Sequence, residues 1–570
     1  MKKESKLYLN LYWHMHQPDY RDLSTHEYVL PWTYLHAIKD YSDMAHHVEA
    51  NPRARVSFNF VPILLEQLED YTQQFENGTI RDPLLALLTE PNLEGISREQ
   101  CRLVVQSCFK AHHEKMLTPF PHYQRLLHLY QLVEPITDES DFHYLSGQYK
   151  ADLLVWYHLA WFGESIRQEN EVVKSLIKKG LFFTLEDREL LFDVIKDTIN
   201  GLIPRYKKLM DDGQIELTTT PYYHPILPLL LDFNSAKDAM PFAPLPKNTS
   251  YADGRNRAIE HIDAATIYHT NLFKQAPTGM WPAEGAISHA SLSLLAEQGV
   301  QWAASGQSVL ANSLHLSGLE ADGENHYLYQ PYTITNGKDN IVCFFRDDGL
   351  SDKIGFEYAS MHATDAINDF IATLEAIDQK ETGDSKVVSV ILDGENAWEY
   401  YPYNGYYFLK ELYEALTNHP TIEMTTFSDI LQLQESGKLP QPKLLPQIAA
   451  GSWVYGTLST WIGDSDKNAA WDLLCEAKKV YDKNIHALNK EEQKNCEQQL
   501  AICEGSDWFW WFGDYNASDS VKSFDLLYRR NLINLYQLLK QTIPENLNQP
   551  ISQGGGNAEN SGTMRRGQND

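Results

Sequence analysis

Seven short runs of the chain carry the alternating or continuous apolar pattern of a β-strand: Leu7–Trp13, Arg55–Val61, Ile215–Thr220, Thr278–Trp281, Gln301–Ser305, Ile341–Arg346 and Val387–Leu392. Between them the apolar positions recur every three or four residues, the spacing of a helix face. Strands alternating with helices predict an α/β fold of repeating βα units. The stretch from about 64 to 210 keeps the helical period throughout, which predicts a helical insertion between the second and third strands. Past Gly451 the pattern changes to helices and aromatic loops. Val521, Phe524, Tyr528, Leu532, Leu535 and Leu539 mark an amphipathic helix there. The expected organisation is a βα-repeat domain over 1–440, a helical C-terminal domain over 441–545 docked on it, and a disordered polar tail over 546–570.

Strand parity says which side chains meet. With a period of two, Leu7, Leu9, Leu11 and Trp13 share one face of the first strand, while Tyr8, Asn10, Tyr12, His14 and His16 share the other. Nearly every run also ends in polar, ionisable or aromatic residues. The first ends in His14-Met15-His16-Gln17-Pro18, the third leads to Tyr222-Tyr223-His224, and the fourth ends in Trp281-Pro282-Ala283-Glu284. The sixth ends in Arg346-Asp347-Asp348 and the seventh in Asp393-Gly394-Glu395-Asn396. In a βα-barrel the C-terminal strand ends form one rim, where active sites are assembled.

Composition narrows the substrate. The net charge of −29 opposes a nucleic-acid partner and an anionic polysaccharide and is indifferent to a neutral one. Thirteen Trp and 32 Tyr offer faces for sugar rings, and equally the bulk of a large core. Six scattered cysteines without a CxxC pair form neither a zinc motif nor a disulfide framework. No apolar run approaches membrane-spanning length, and Met1 to Lys6 lead straight into the first strand. The expectation is a cytoplasmic protein without membrane partners, its oligomeric state left open.

Two carboxyl groups flanking one bond are the requirement of glycoside hydrolysis. Glu284, behind Trp281 and Pro282, stands where a strand stops. Asp393 closes a strongly apolar strand, a setting that raises a carboxyl toward acid duty. Singly, each is more simply a cap or ion-pair residue; two on the same rim with aromatic neighbours favour catalysis.

Five ordered segments, His14-Met15-His16-Gln17-Pro18, Gly213-Gln214-Ile215-Glu216-Leu217, Trp281-Pro282-Ala283-Glu284, Asp393-Gly394-Glu395-Asn396 and Thr460-Trp461-Ile462-Gly463, resemble the motifs of glycoside hydrolase family 57. The resemblance implies a seven-stranded (β/α) barrel with a helical C-terminal part and retaining chemistry on α-glucosidic bonds. It implies Glu284 as nucleophile, Asp393 as general acid/base, and His14, His16, Glu216, Trp281 and Trp461 along the sugar subsites. His224 and Trp398 join these as substrate-binding candidates. So do Asp507 and Trp508, from a segment, Gly505 to Asp514, that resembles the amylase and amylopullulanase-like members. Asp347, Asp348, Asp352 and Glu357 read as helpers or structural residues.

Other readings remain in view. A 4-α-glucanotransferase or branching enzyme would use the same site. A metal-dependent deacetylase or α-mannosidase-like enzyme would use His14 and His16 as ligands, yet Gln17 and Pro18 follow where a carboxylate is needed. A non-catalytic glucan-binding protein would be expected to lack one of the carboxylates. The expectation is a neutral α-glucan substrate with no metal or other cofactor.

Overall fold

The computed structural model describes residues 6–133, 145–319, 327–380, 386–395 and 397–556. Its centre is the strand Leu7–Met15, apolar enough to be covered on one face and polar enough to line a cavity on the other. One edge pairs in parallel with Val387–Asp393, from Tyr8 opposite Val387 to His14 opposite Asp393. The other pairs in parallel with Val56–Phe60, which in turn pairs with Ile215–Thr218. On the far side Trp302–Gly306 runs parallel to Asn340–Arg346, and Arg346 meets Ser389 to join the Val387–Asp393 strand.

The fourth predicted strand is the weakest member of this ring. It is reduced to two parallel bridges, Thr219 with Met280 and Gly279 with Trp302. The amides of Trp281 and Met280 donate to the Thr219 and Trp302 carbonyls at 3.0 Å each. A side chain at Gly279 would lie 1.9 Å from the Trp302 indole, so only glycine lets the backbone close the ring here. With that bridge the seven predicted runs form one closed parallel barrel.

The barrel sorts its residues as parity requires. Leu7, Leu9, Leu11 and Trp13 are fully buried under the surrounding helices. Tyr12 points inward into a second cluster with Trp281, Trp302, Phe344, Ile391 and Phe427. Phe427 opens the helix Phe427–Glu435, stacks on Phe344 with centroids 4.2 Å apart, and plugs the end of the barrel away from the rim. The short strands Tyr332–Thr335 and Ile422–Met424, which the apolar pattern did not single out, extend the sheet.

Between Val56–Phe60 and Ile215–Thr218 lie helices including Pro62–Asn77, Gly147–Trp161 and Leu185–Asp211. Gly147–Trp161 is buried from Tyr149 through Trp161, in keeping with its nearly all-round apolar sequence. Beyond the barrel come Ser465–Asn484, Lys490–Cys503, Ser506–Trp511 and Ser518–Leu538. Glu504 clamps this region to the helix Gly254–Phe273: its carboxylate accepts from Arg257 at 2.8 Å and from His261 at 2.7 Å. Burial opposes the Glu504 charge, but Arg257 and His261 outweigh it and hold the carboxyl well below its usual range.

One boundary needs correction. The expected disordered tail from 546 is held as far as 556, because it finds backbone and side-chain partners. The Ile551 and Ser552 amides donate to Asp525, and those of Gly555 and Gly556 to the Asn516 carbonyl. The rest of that expected tail, 557–570, lies outside the described residues. No described helix is long and apolar enough to cross a membrane.

Candidate active site

Glu284 sits in a tight turn forced by its neighbours. Pro282 is extended, and the chain then folds through Ala283–Gly285 with Glu284 itself at φ 59°, ψ 22°. This left-handed conformation costs a non-glycine residue about 1 kcal/mol or more and collects at functional sites. A Cβ at Gly285 would come within 2.9 Å of the Trp281 ring. The turn is pinned by the Trp453 amide on the Glu284 carbonyl (3.2 Å) and the Ser305 hydroxyl on the Gly285 carbonyl (2.6 Å).

Asp393 ends its strand directly beside His14, and the next amide, Gly394, donates to the His14 carbonyl at 2.7 Å. Glu284 and Asp393 face one cavity of about 640 Å³. The barrel rim supplies His14, His16 and Arg346, the helical insertion His112 and Lys115, and the C-terminal stretch Trp453, Trp510 and Tyr515. Burial, then the charges of Asp393 and Asp507, push the Glu284 carboxyl well above its usual range, while a hydrogen bond from Trp453 pulls it down. That bond runs from the indole Nε1 to Oε2 at 3.0 Å.

Three histidines stack beside the carboxylates. His16 and His224 lie with centroids 3.9 Å apart, and His14 is 5.2 Å from His224. Each has an outer partner: Asn59 for His14 at 2.7 Å, Asp507 for His16 at 2.9 Å, and Ser506 for His224 at 2.8 Å. Burial, then the neighbouring imidazoles, hold His224 well below its usual pKa, and burial and His16 take His14 down to about 3. These two rings are neutral and offer hydrogen bonds, not charge.

His16, His224 and Asp507 bring one donor atom each within 4.8 Å of the others, the spacing of a metal site. Their orientation fits an ion poorly. The His16 and His224 rings lie 23° from parallel, so their in-plane lone pairs run side by side instead of converging. His16 Nε2 is also already engaged with both Asp507 oxygens.

Of the substrate-binding candidates, His14 and His16 line the cavity, and His224 and Asp507 pack directly behind. Five others are placed elsewhere. Glu216 lies toward the closed end of the barrel, accepting from the Trp302 indole at 3.1 Å and from the Ser428 amide at 3.2 Å. Trp281 fills the barrel interior, and Trp398 packs between Trp13 and Phe408. Trp461 is fully buried against Trp510, and Trp508 packs on Tyr528 while donating to the Ile502 carbonyl. An indole is large enough to be claimed by whichever core lies nearest. These four tryptophans support the site from outside the cavity.

Sequence reasoning passed over Trp453, Arg346 and Glu395. Trp453 lies in an irregular stretch where no period tells which way a side chain points. Arg346 is visible in the sequence only as a polar strand end. Its guanidinium donates to the Ile391 carbonyl at 2.8 Å and to Asp348 and Asp352 at 2.7 Å each. Asp348 and Asp352 are thus helpers that hold an arginine, and Asp347 caps the helix Asp348–Asp352.

Three solved structures share this architecture over most of their length. A branching enzyme from Thermococcus kodakaraensis is 14% identical, with 94% of this chain and 89% of that one covered at a TM-score of 0.56. One from Pyrococcus horikoshii is 15% identical, covering 97% and 98% at 0.54. An α-amylase from Thermotoga maritima is 13% identical, covering 94% and 93% at 0.56. At such identities the likeness is one of fold. No curated protein sequence matches significantly. The sequence profile of glycosyl hydrolase family 57, however, matches residues 10–446, most of the barrel and everything that carries Glu284 and Asp393. The chain belongs to glycosyl hydrolase family 57.

Proposed function

We propose that the protein is a retaining glycosidase that cleaves α-glucosidic bonds of starch- or glycogen-type glucans, with Glu284 as nucleophile and Asp393 as acid/base. The observation that carries this reading is that two carboxyl groups, delivered by two different strand ends, face one cavity and repel each other's charge. Such a pair favours one protonated and one ionised member, which is what a double displacement starts from.

In the first step Glu284 attacks the anomeric carbon while Asp393 gives its proton to the departing glycosidic oxygen. In the second, Asp393 takes a proton from water, and the water oxygen displaces Glu284 from the same carbon, so two inversions restore the α configuration. The neutral His14, on the cavity wall, suits a sugar hydroxyl. Tyr455 and Tyr515 at the mouth, 51% and 45% exposed, offer faces to further rings.

Those same exposed aromatics support a second reading, transfer to an acceptor sugar in place of water. Product analysis on amylose, pullulan and maltooligosaccharides separates the two. Accumulating reducing ends with α-anomeric products support hydrolysis. Longer or branched products without new reducing ends support transfer, and no conversion of any of these glucans overturns both.

A further inference from the structure

We propose that Trp453 is a catalytic residue of this site, its indole N–H holding Oε2 of Glu284 so that Oε1 is the attacking oxygen, with Arg346 as the residue that positions the indole. The inference rests on the reading of Glu284 as nucleophile and adds what keeps that nucleophile ready.

Glu284 is surrounded by groups that disfavour its charge. It is 7% exposed, and Asp393 and Asp507 both act on it as like charges. His224 approaches Oε1 to 4.0 Å, but its Nδ1 is engaged with Ser506 and its ring is neutral. Among the described residues the Glu284 carboxylate accepts one hydrogen bond, from Trp453 Nε1 at 3.0 Å. A hydrogen bond to a buried anion is among the strongest a neutral donor makes.

The indole is built into place. A Cβ on Gly306 would lie 2.8 Å from the Trp453 Cα, so the barrel strand gives way for it. Trp281 meets its ring edge-on at 5.3 Å, and the Trp453 amide is tied to the Glu284 carbonyl. The Arg346 guanidinium lies over the indole at 5.7 Å. A cation on the ring face draws electron density from the indole and strengthens its N–H as a donor. Arg346 is 6% exposed and bound to Asp348 and Asp352, so it can neither leave nor reach the carboxylate in place of the indole.

The same bond serves both chemical steps. Before attack it favours the ionised carboxylate. When water displaces the carboxylate from the glycosyl ester, the electron pair of the breaking C–O bond returns to Glu284, and the N–H stabilises that returning charge.

The test follows covalent trapping by 5-fluoro-α-D-glucosyl fluoride as a function of pH. Fluoride needs no acid to depart, so the acid limb reports ionisation of the nucleophile alone. Trp453→Phe keeps an aromatic ring in the site and removes the N–H together with the five-membered ring that carries it. The limb should move up by about one to two pH units, and release of the trapped sugar should slow by about tenfold to a hundredfold. Arg346→Met should move the limb the same way by less. A Trp453→Phe protein with wild-type circular dichroism and an unmoved limb overturns the proposal. Should that variant not fold, ¹⁵N-tryptophan spectra of the wild-type protein decide. One indole resonance should titrate with the trapping limb and shift in Glu284→Gln, and its absence overturns the proposal. If the wild-type protein is not labelled at Glu284 at all, the nucleophile assignment has failed, whatever Trp453 does.

Discussion

His16 Nε2 lies 2.9 and 3.0 Å from the two carboxylate oxygens of Asp507, a residue 491 positions further along the chain. The bond fixes the ring by its Nε2 and leaves Nδ1 buried without a partner among the described residues. Asp507→Asn keeps the shape but weakens the acceptor. We expect kcat/KM on a soluble α-glucan to fall by about tenfold to a hundredfold, the loss of a charge-assisted hydrogen bond. An unchanged kcat/KM in a folded variant would remove Asp507 from the site.

The stacking of His16 on His224 bears on metal dependence. An ion would have to break the His16–Asp507 bond and turn one ring. Extensive EDTA dialysis should therefore leave α-glucan activity within about twofold of the untreated protein, since Asp507 is already bound to His16. Activity lost to chelator and restored by zinc would refute this.

The roles of Glu284 and Asp393 separate by rescue chemistry. Glu284→Gln should lose several orders of magnitude on every substrate, because nothing replaces the nucleophile. Asp393→Ala should still be glycosylated by an activated aryl α-glucoside but stall without a base. Azide, which needs no base, should then restore turnover and give the α-glucosyl azide. A β-azide from Asp393→Ala, or an α-azide from Glu284→Ala, would reverse the assignment.

Glu216 separates support from contact. Glu216→Ala removes the acceptor of the Ser428 amide and the nearer of the two acceptors of the Trp302 indole in a part-buried setting, which should destabilise the fold by about 1–3 kcal/mol. Thermal unfolding should register this while kcat/KM stays within about threefold, because the lost bonds lie away from the cavity. A hundredfold loss of kcat/KM in a folded protein would restore Glu216 as a sugar contact.

Glu395 predicts a pH dependence of stability. Burial, then the like charge of Asp393, push its carboxyl well above 4.5, against hydrogen bonds from the His16 amide and the Gln17 side chain. A carboxyl raised on folding binds more protons in the native state. Its stabilising contribution is therefore whole below pH 4.5 and is lost as pH rises through the folded value. Glu395→Gln removes that titration. Its Tm, relative to wild type, should be higher at pH 8 than at pH 4.5; a difference independent of pH would sink the argument.

Periodicity made the barrel legible. Leu7, Leu9, Leu11 and Trp13 alternate with Asn10, Tyr12 and His14, and a period of two assigns every one of them to a face. Asp393 directly follows one such run and Glu284 stands three residues past the end of another, which is why both stand out in the sequence as strand-end carboxylates. The fourth strand was predicted as regular, and Gly279 explains why it is only bridged. The places of the tryptophans are not legible, for the opposite reason. Trp398, Trp461 and Trp508 lie where no strand parity applies, and chemistry alone cannot tell an indole that stacks on sugar from one that fills a core. Trp453 was invisible on the same ground.

The pairing of Leu7–Met15 has a consequence for how the protein comes into being. This strand is synthesised long before one of its two neighbours, Val387–Asp393, to which it pairs from Tyr8 opposite Val387. Synthesis at 5–20 residues per second leaves that edge uncovered for roughly half a minute. A half-paired strand with one apolar face is an invitation to intermolecular association for the whole of that time. Nascent chains of this protein should therefore lean on holdase chaperones, and production should gain more from slowed initiation or lower temperature than from any change at the surface of the finished enzyme.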